Sequence, residues 1–230
     1  EFYDNFRCAK DVFQEVDEAL QQNLTKIIFE GPETDLILTE NAQPALMAVS
    51  LAVMRVLEKE GGFDLSQTVA YVAGHSLGQY SALCAAGGLS LKHTAQLLKI
   101  RGQAMQRAVP LGQGAMAALL GLELPVVEKI VSEAAQGQVC EIANDNSPGQ
   151  VVISGHREAV ERAVELSKDH GAKRSIMLNV SAPFHCALME PARLEMQNAF
   201  SDITVKDPLV PLLDNVSAES VQSGEALKTL

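Results

Sequence analysis

The chain has 230 residues, 47% hydrophobic and 20% charged, so it carries enough apolar material for a substantial core. Its formal net charge of -11 argues against nucleic acid or an anionic membrane surface as the main partner. Trp is absent and aromatics reach only 4%, so a stacking platform for bases is not expected either.

No uninterrupted apolar run approaches the roughly 18 residues of a membrane span, and no basic segment leads into an apolar one as in a secretion signal. Cys8, Cys84, Cys140 and Cys186 lie far apart and form no CxxC pair. That spacing predicts neither a disulfide framework nor a metal site, and it points to a reducing, cytoplasmic setting. The chain starts at Glu1 inside a helical pattern and stops in "GEALKTL" without a capping signal, so further sequence is expected at both ends.

Taken in order, Phe2–Gln22 shows helical periodicity, with Phe6, Phe13, Val16 and Leu20 on one side. A long helix is predicted over about Ala42–Lys59, stopped by Gly61 and Gly62, with Pro44 tolerable only in its first turn. Thr68–Ala73 is a short β-branched run that reads as a buried strand. Helices are predicted over Gln79–Ala86 and Leu91–Val109. Then the character changes. Ala115–Gly121 reads as a strand, Pro125–Ala135 as a helix and Val139–Ala143 as a strand. "NDNSPGQ" reads as a turn, Val151–Ser154 as a strand, Arg157–His170 as a helix and Lys173–Val180 as a strand. This β-α-β-β-α-β order is the ferredoxin-like pattern. Gly112 and Gly114 before it and Pro183 after it mark it as an insert, after which a helix is predicted over His185–Phe200.

The insert aside, one short stretch stands out. Gly74-His75-Ser76-Leu77-Gly78 fits G-x-S-x-G, with a predicted strand before it and a helix after it, as a nucleophile elbow requires. In so tight a turn, side chains two positions either side of the serine would collide, so glycine is expected at 74 and 78. The Ser76 hydroxyl would then stand at a helix N-terminus, where backbone N–H groups favour developing negative charge. The N–H of Leu77 is the natural oxyanion donor.

Four separated motifs, "GHSLGQYSAL", "RGQAMQ", "NDNSPGQVVISG" and "SAPFHCALM", spread over most of positions 41–200. Together they resemble the malonyl-CoA:acyl carrier protein transacylases of fatty acid synthesis, whose fold the acyltransferase domains of polyketide synthases share. The resemblance implies an α/β fold: an α/β hydrolase-like core, residues 1–111 and 182–230 here, carrying the ferredoxin-like subdomain at 112–181. It implies Ser76 as nucleophile, His185 as catalytic histidine, Arg101 as the partner of the malonyl carboxylate and Leu77 as backbone oxyanion donor. It further implies malonyl-CoA as substrate, acyl carrier protein as partner and no cofactor or metal. The chain is expected to work as a monomer.

The chemistry of the residues agrees with these roles. Serine at neutral pH needs a base within hydrogen-bond reach. His75 adjoins the serine, but elbow geometry points it away. His93, His156 and His170 read as surface residues. His185 is expected at a Pro-marked junction leading into a helix, whose N-terminus would keep the imidazole neutral and basic. No acid stands out as a third member, and the resemblance implies a backbone carbonyl in that place. A guanidinium at Arg101 would pair with malonate in a bidentate way and be left unpaired by acetyl. Asn144, Asn146 and Gln150 read as turn or pocket-rim residues.

One departure concerns the family's N-terminal "GQGSQ"-type loop, whose glutamine helps to build the oxyanion hole and which has no counterpart in this sequence. Another concerns charge. The carrier is acidic and so is this chain, so docking is expected on local basic residues among Lys92, Lys99, Arg107, Lys168, Lys173 and Arg174. The competing readings are a polyketide synthase-type acyltransferase, a serine thioesterase or esterase built on the same elbow, and a scaffold without catalysis.

Overall fold

A computed structural model describes residues 1–110 and 112–228. The domain boundary expected at 111 and the last two residues of "GEALKTL" lie outside the described residues. The chain divides into two compact units, Glu1–Gly102 with Met196–Leu230, and Gln103–Glu195.

The first unit begins with α1 (Phe2–Asn5), α2 (Arg7–Leu20), α3 (Leu24–Glu30), α4 (Glu33–Leu36) and α5 (Thr39–Lys59). The predicted first helix is broken at Phe6, whose extended backbone (φ -123°) separates α1 from α2. Ala9, Val12, Phe13 and Val16 form the buried stripe of α2, spaced by three and four residues. They pack with Met47, Ala48, Leu51 and Ala52 of α5, and with Leu91, Ala95 and Leu98 from the start of α8 (Leu91–Ala108). Each large aliphatic side chain sealed there contributes about 1.5–3 kcal/mol. α5 starts three residues before its expected position, so Pro44 lies in its second turn, inside the helix rather than at its start. Pro44 is buried, and that burial offsets part of the hydrogen bond proline cannot donate.

Two short helices follow α5: α6 (Leu65–Thr68) and α7 (Gly78–Ala85). The buried strand expected over Thr68–Ala73 is corrected. Its first residue ends α6, and the rest bends at Ala70 and forms no strand beyond one parallel bridge, Val72 to Leu212. Val72 N–H donates to Pro211 O at 3.0 Å, and Leu213 N–H donates to Val72 O at 2.9 Å. A β-branched run reads as buried only if sheet covers both its faces, and here Tyr71 is 53% exposed.

The second unit carries β1 (Gly114–Leu120), α9 (Leu124–Ala135), β2 (Cys140–Ser147), β3 (Gln150–His156), α10 (Arg157–Asp169) and β4 (Arg174–Met177). The four strands form one sheet in the order β2-β3-β1-β4, and every neighbouring pair is antiparallel. Alternate residues of β1 face opposite ways. Ala115, Ala117 and Leu119 meet Val127, Ile130, Val131 and Ala134 of α9, and Ala159, Val160 and Ala163 of α10. Met116 and Ala118 pack on the other face with Val152 and Phe184. The turn expected at "NDNSPGQ" is shorter than read. Asn144–Ser147 continue β2, and only Pro148 and Gly149 connect it to β3.

The helix expected from His185 begins later. His185 and Cys186 precede a 3-10 turn at Ala187–Met189, and α11 runs over Glu190–Ser201. The chain closes with β5 (Leu212–Leu213), β6 (Ser220–Val221) and α12 (Gly224–Leu227), with β5 and β6 antiparallel. Among the described residues no helix is long and apolar enough to cross a membrane.

Candidate active site

The turn at 74–78 is built by sterics. A Cβ at Gly74 would lie 2.0 Å from the carbonyl carbon and oxygen of Gly78, so only glycine fits there. The expectation of the same need at Gly78 is corrected, since a Cβ there would meet nothing within 4 Å. His75 O accepts from Gly78 N–H at 2.9 Å and Ser76 O from Gln79 N–H at 3.1 Å, which winds the chain into α7. Ser76 has φ 53°, in the left-handed region that side chains other than glycine rarely adopt. Leu77 holds the N-cap position of α7. His75 is exposed.

Arg101, in the part of α8 that belongs to the first unit, aims at this serine. Its Nη2 donates to Ser76 Oγ at 3.2 Å. Its Nη1 donates to Gln43 Oε1 at 2.7 Å, and the guanidinium stands 5.7 Å from the centroid of the Tyr80 ring. Gln43 in turn donates to Thr39 Oγ1 at 2.9 Å. Burial pushes the Arg101 value below that of an ordinary guanidinium, and Tyr80 opposes that shift. Burial raises the Tyr80 phenol, and Arg101 partly offsets it. The guanidinium keeps its charge in such a setting, so it is a partly desolvated cation beside a serine hydroxyl.

This arrangement depends on Gly102. A Cβ there would lie 2.4 Å from Glu40 Cα and 2.6 Å from Thr39 O, both backbone atoms at the start of α5. The close approach of α8 to α5 brings Arg101 against Gln43.

A second network grips the elbow. Asn215 Oδ1 accepts from Ser76 N–H at 2.6 Å, and Asn215 Nδ2 donates to Gly74 O at 2.6 Å. Gln79 Oε1 accepts from Asn215 N–H at 2.9 Å, and Gln79 Nε2 donates to Asp214 Oδ1 at 3.2 Å. Burial would push the Asp214 carboxyl up. Hydrogen bonds from Ser217, Gln79 and Val216 outweigh it and hold the group below the usual carboxylate range.

In the second unit His185 has φ 59°, so it shares with Ser76 the left-handed backbone. The other non-glycine residues in that region among the described residues are Gln21 and Gln136, which end α2 and α9, and Ala218. The loop before His185 is pinned on both sides. Gln106 Nε2 donates to Ser181 O at 3.2 Å. A Cβ at Gly114 would lie 2.3 Å from Pro183 Cγ, so β1 gives way to the proline ring. The expectation of a helix N-terminus at His185 is corrected. The first N–H of the 3-10 turn, on Ala187, is taken by Glu141 Oε2 at 2.8 Å, and α11 starts five residues beyond His185.

Among the remaining histidines, His156 is half-buried and its Nδ1 accepts from Val139 N–H at 2.9 Å, a structural pairing rather than the surface position expected. Burial raises Cys84 and Cys186 and pushes Cys140 up to about 11, so these remain thiols at neutral pH. Among the described residues no group of three or more His, Cys, Asp and Glu could hold a metal ion. Lys99 is 20% exposed and tied to Glu40, Gln22 and Asn41. It braces the first unit and is not available as the carrier contact expected.

Sequence reasoning missed Gln43, Tyr80, Gln79, Asp214 and Asn215. Gln43 lies 58 positions from Arg101 and Asn215 lies 139 from Ser76. No local spacing signals either one.

Comparison with known proteins supplies the remaining findings. Residues 1–228 match the acyl transferase domain family. The malonyl CoA-acyl carrier protein transacylase of Bacillus subtilis (strain 168) is 46% identical over 220 residues, covering 95% of this chain and 68% of that protein. The solved acyl-carrier-protein-S-malonyltransferase of Bartonella henselae is 54% identical with a TM-score of 0.96, covering 99% of this chain and 72% of that one. A malonyl-transacylase solved in complex with its type II PKS acyl-carrier protein is 41% identical with a TM-score of 0.94, at 99% and 72% coverage.

Proposed function

Since the chain belongs to the acyl transferase domain family, we propose that it moves a malonyl group from malonyl-CoA to the phosphopantetheine thiol of acyl carrier protein in fatty acid synthesis. The observation that carries this reading is the half-buried Arg101 guanidinium with Nη2 3.2 Å from Ser76 Oγ. A hydrolase of simple esters has no need of a partly desolvated cation there, whereas an acyl group ending in a carboxylate does. The relatives named as malonyl transacylases and the complex with a carrier protein support the same substrate and partner.

In this reading His185 takes the proton of Ser76 Oγ as the oxygen attacks the thioester carbonyl. The malonyl carboxylate takes the Arg101 donor that Ser76 Oγ accepts in the free protein. Leu77 N–H stabilises the tetrahedral oxyanion. Ser76 N–H is engaged by Asn215, while among the described residues none accepts from Leu77 N–H. Collapse breaks the C–S bond, CoA leaves as a thiol with the proton held by His185, and malonyl-Ser76 remains. The carrier thiol then attacks the ester, His185 takes its proton and returns it to Ser76 Oγ. Thioester, ester and thioester are close in energy, so water must be kept from the intermediate.

The same reading takes 112–181 as a ferredoxin-like subdomain in an α/β hydrolase-like core made of 1–111 and 182–230. The β-α-β-β-α-β order and the β2-β3-β1-β4 sheet support the first half of that statement. It sets the protein in the cytoplasm, in keeping with four unpaired cysteines. It takes the chain as a monomer needing no cofactor, and sedimentation velocity tests the oligomeric state.

The test is intact-protein mass after brief mixing with malonyl-CoA, with Ser76→Ala alongside. A malonyl adduct on the parent protein alone, discharged by holo acyl carrier protein, is the expected result. An adduct released as free malonate at the same rate with and without carrier would instead make the protein a hydrolase.

A further inference from the structure

The nucleophile elbow has an internal hydrogen-bonding problem. Between Gly74 and Ser76 the chain leaves its extended path and enters the left-handed region, so the backbone groups there cannot pair as they would in a strand or a helix. Paired only with water, these groups would hold the turn less firmly than a fixed side chain does. Both groups flanking His75, Gly74 C=O and Ser76 N–H, are satisfied by one side chain, the Asn215 amide, at 2.6 Å each. An amide is suited to this task because it presents one donor and one acceptor side by side. Asn215 is itself held. Its N–H donates to Gln79 Oε1, and Gln79, in the first turn of α7, donates to Asp214. Asp214 is 4% exposed and also accepts from Val216 N–H, Ser217 N–H and the Ser217 hydroxyl. Both arms of the elbow are therefore tied to the 214–217 turn.

We propose that Asn215, locked by Gln79 and Asp214, is a positioning residue that holds Ser76 in its strained conformation and so sets the reactivity of its hydroxyl. Asn215 does not touch the reacting atoms. It acts through the backbone of Ser76, and because it occupies Ser76 N–H it leaves Leu77 N–H as the elbow donor for the oxyanion. This inference rests on Ser76 being the nucleophile but not on the identity of the acyl group.

The test uses a fluorophosphonate probe, which reacts with an activated serine whatever the natural acyl donor. Ser76 Oγ forms the P–O bond, fluoride leaves, and the serine proton passes to a base. Phosphonylation of Ser76 is followed by mass for the parent, Asn215→Ala and Asn215→Asp, with folding checked by circular dichroism and melting temperature. Val16→Ala, a core change on α2, serves as a variant destabilised away from the elbow.

For Asn215→Ala the maximal inactivation rate falls by on the order of 10- to 100-fold, with the half-saturating probe concentration unchanged within about twofold. Asn215→Asp keeps an acceptor for Ser76 N–H and loses the donor to Gly74 C=O, so it falls between the two. If Asn215→Ala does not fold, a smaller drop of the same kind in Asn215→Asp, absent from Val16→Ala, carries the proposal, and an Asn215→Asp that reacts like Val16→Ala overturns it. A folded Asn215→Ala reacting within about twofold of the parent overturns it. So does a loss that Val16→Ala reproduces at equal melting temperature, or a parent whose Ser76 does not react. A parent that reacts with the probe but forms no malonyl adduct leaves the positioning role standing and overturns the malonyl reading alone.

Discussion

At the scale of residues, Arg101 separates this site from a plain serine hydrolase. Arg101→Lys keeps the charge but loses the fork of the guanidinium. Its contacts to Gln43 and Ser76 leave from two different nitrogens, and one ammonium cannot reproduce them. Malonyl loading of Ser76 should fall by on the order of 10- to 100-fold, as expected for loss of a charged hydrogen bond. Acetyl loading should fall less or rise. Initial rates with malonyl-CoA and acetyl-CoA give the ratio, and an unchanged ratio would remove Arg101 from selectivity. Asp214 supplies a pH signature. Its carboxyl is held below the usual range in the fold, so it stabilises the protein fully above its unfolded value of about 4. That stabilisation is lost as pH falls through the folded value. Melting temperature against pH should therefore drop more steeply below about pH 4 in the parent than in Asp214→Asn. Parallel curves would show that the carboxylate contributes nothing of this kind.

Among elements, the crossing of α8 on α5 sets the place of Arg101. Gly102 permits it, with Glu40 Cα and Thr39 O in the space a methyl group would need. Gly102→Ala should cost about 1–3 kcal/mol in denaturant unfolding, because backbone rather than a side chain must move. It should also lower malonyl loading by drawing Arg101 away from Ser76. A variant as active and as stable as the parent would show that the two helices part freely. Gly78 offers the contrast. Its Cβ would meet open space, so Gly78→Ala should be tolerated and raise helix propensity at the start of α7. The motif reads as symmetrical in sequence, yet only one of its glycines is sterically forced.

For the molecule as a whole, the net charge of -11 must still permit an acidic carrier to approach. Lys99 is taken up by Glu40, Gln22 and Asn41, and Arg107 pairs with Glu195. Lys173 and Arg174 are exposed at the start of β4 and, among the described residues, make no salt bridge. Reversing both to Glu should raise the KM for carrier protein several-fold at low salt, leave loading from malonyl-CoA unchanged, and flatten the salt dependence. Identical carrier kinetics in the double variant would place docking elsewhere. The fully buried Ile130 tests the second unit by itself. Ile130→Ala should cost about 2–5 kcal/mol, because it removes a fully buried side chain from a close-packed cluster and leaves a cavity.

What the sequence determined by itself was local and chemical. The apolar spacing of α2, the long helix α5 and the β-α-β-β-α-β order follow from side-chain patterning, which is written residue by residue. The G-x-S-x-G stretch was equally legible, because a strained turn leaves its glycine where it is needed. The buried strand before it was misread. Burial is a property of what covers a segment, and a β-branched run looks the same with one bridge as with two neighbours. The place of His185 ahead of a helix was misread for a similar reason, since Glu141 and the 3-10 turn intervene. Only the tertiary structure could bring Gln43 to Arg101 across 58 positions, or Asn215 to Ser76 across 139. Those contacts depend on how the helices of the first unit pack and on where the 214–217 turn returns. A polar side chain distant in sequence carries no mark of the backbone group it will find.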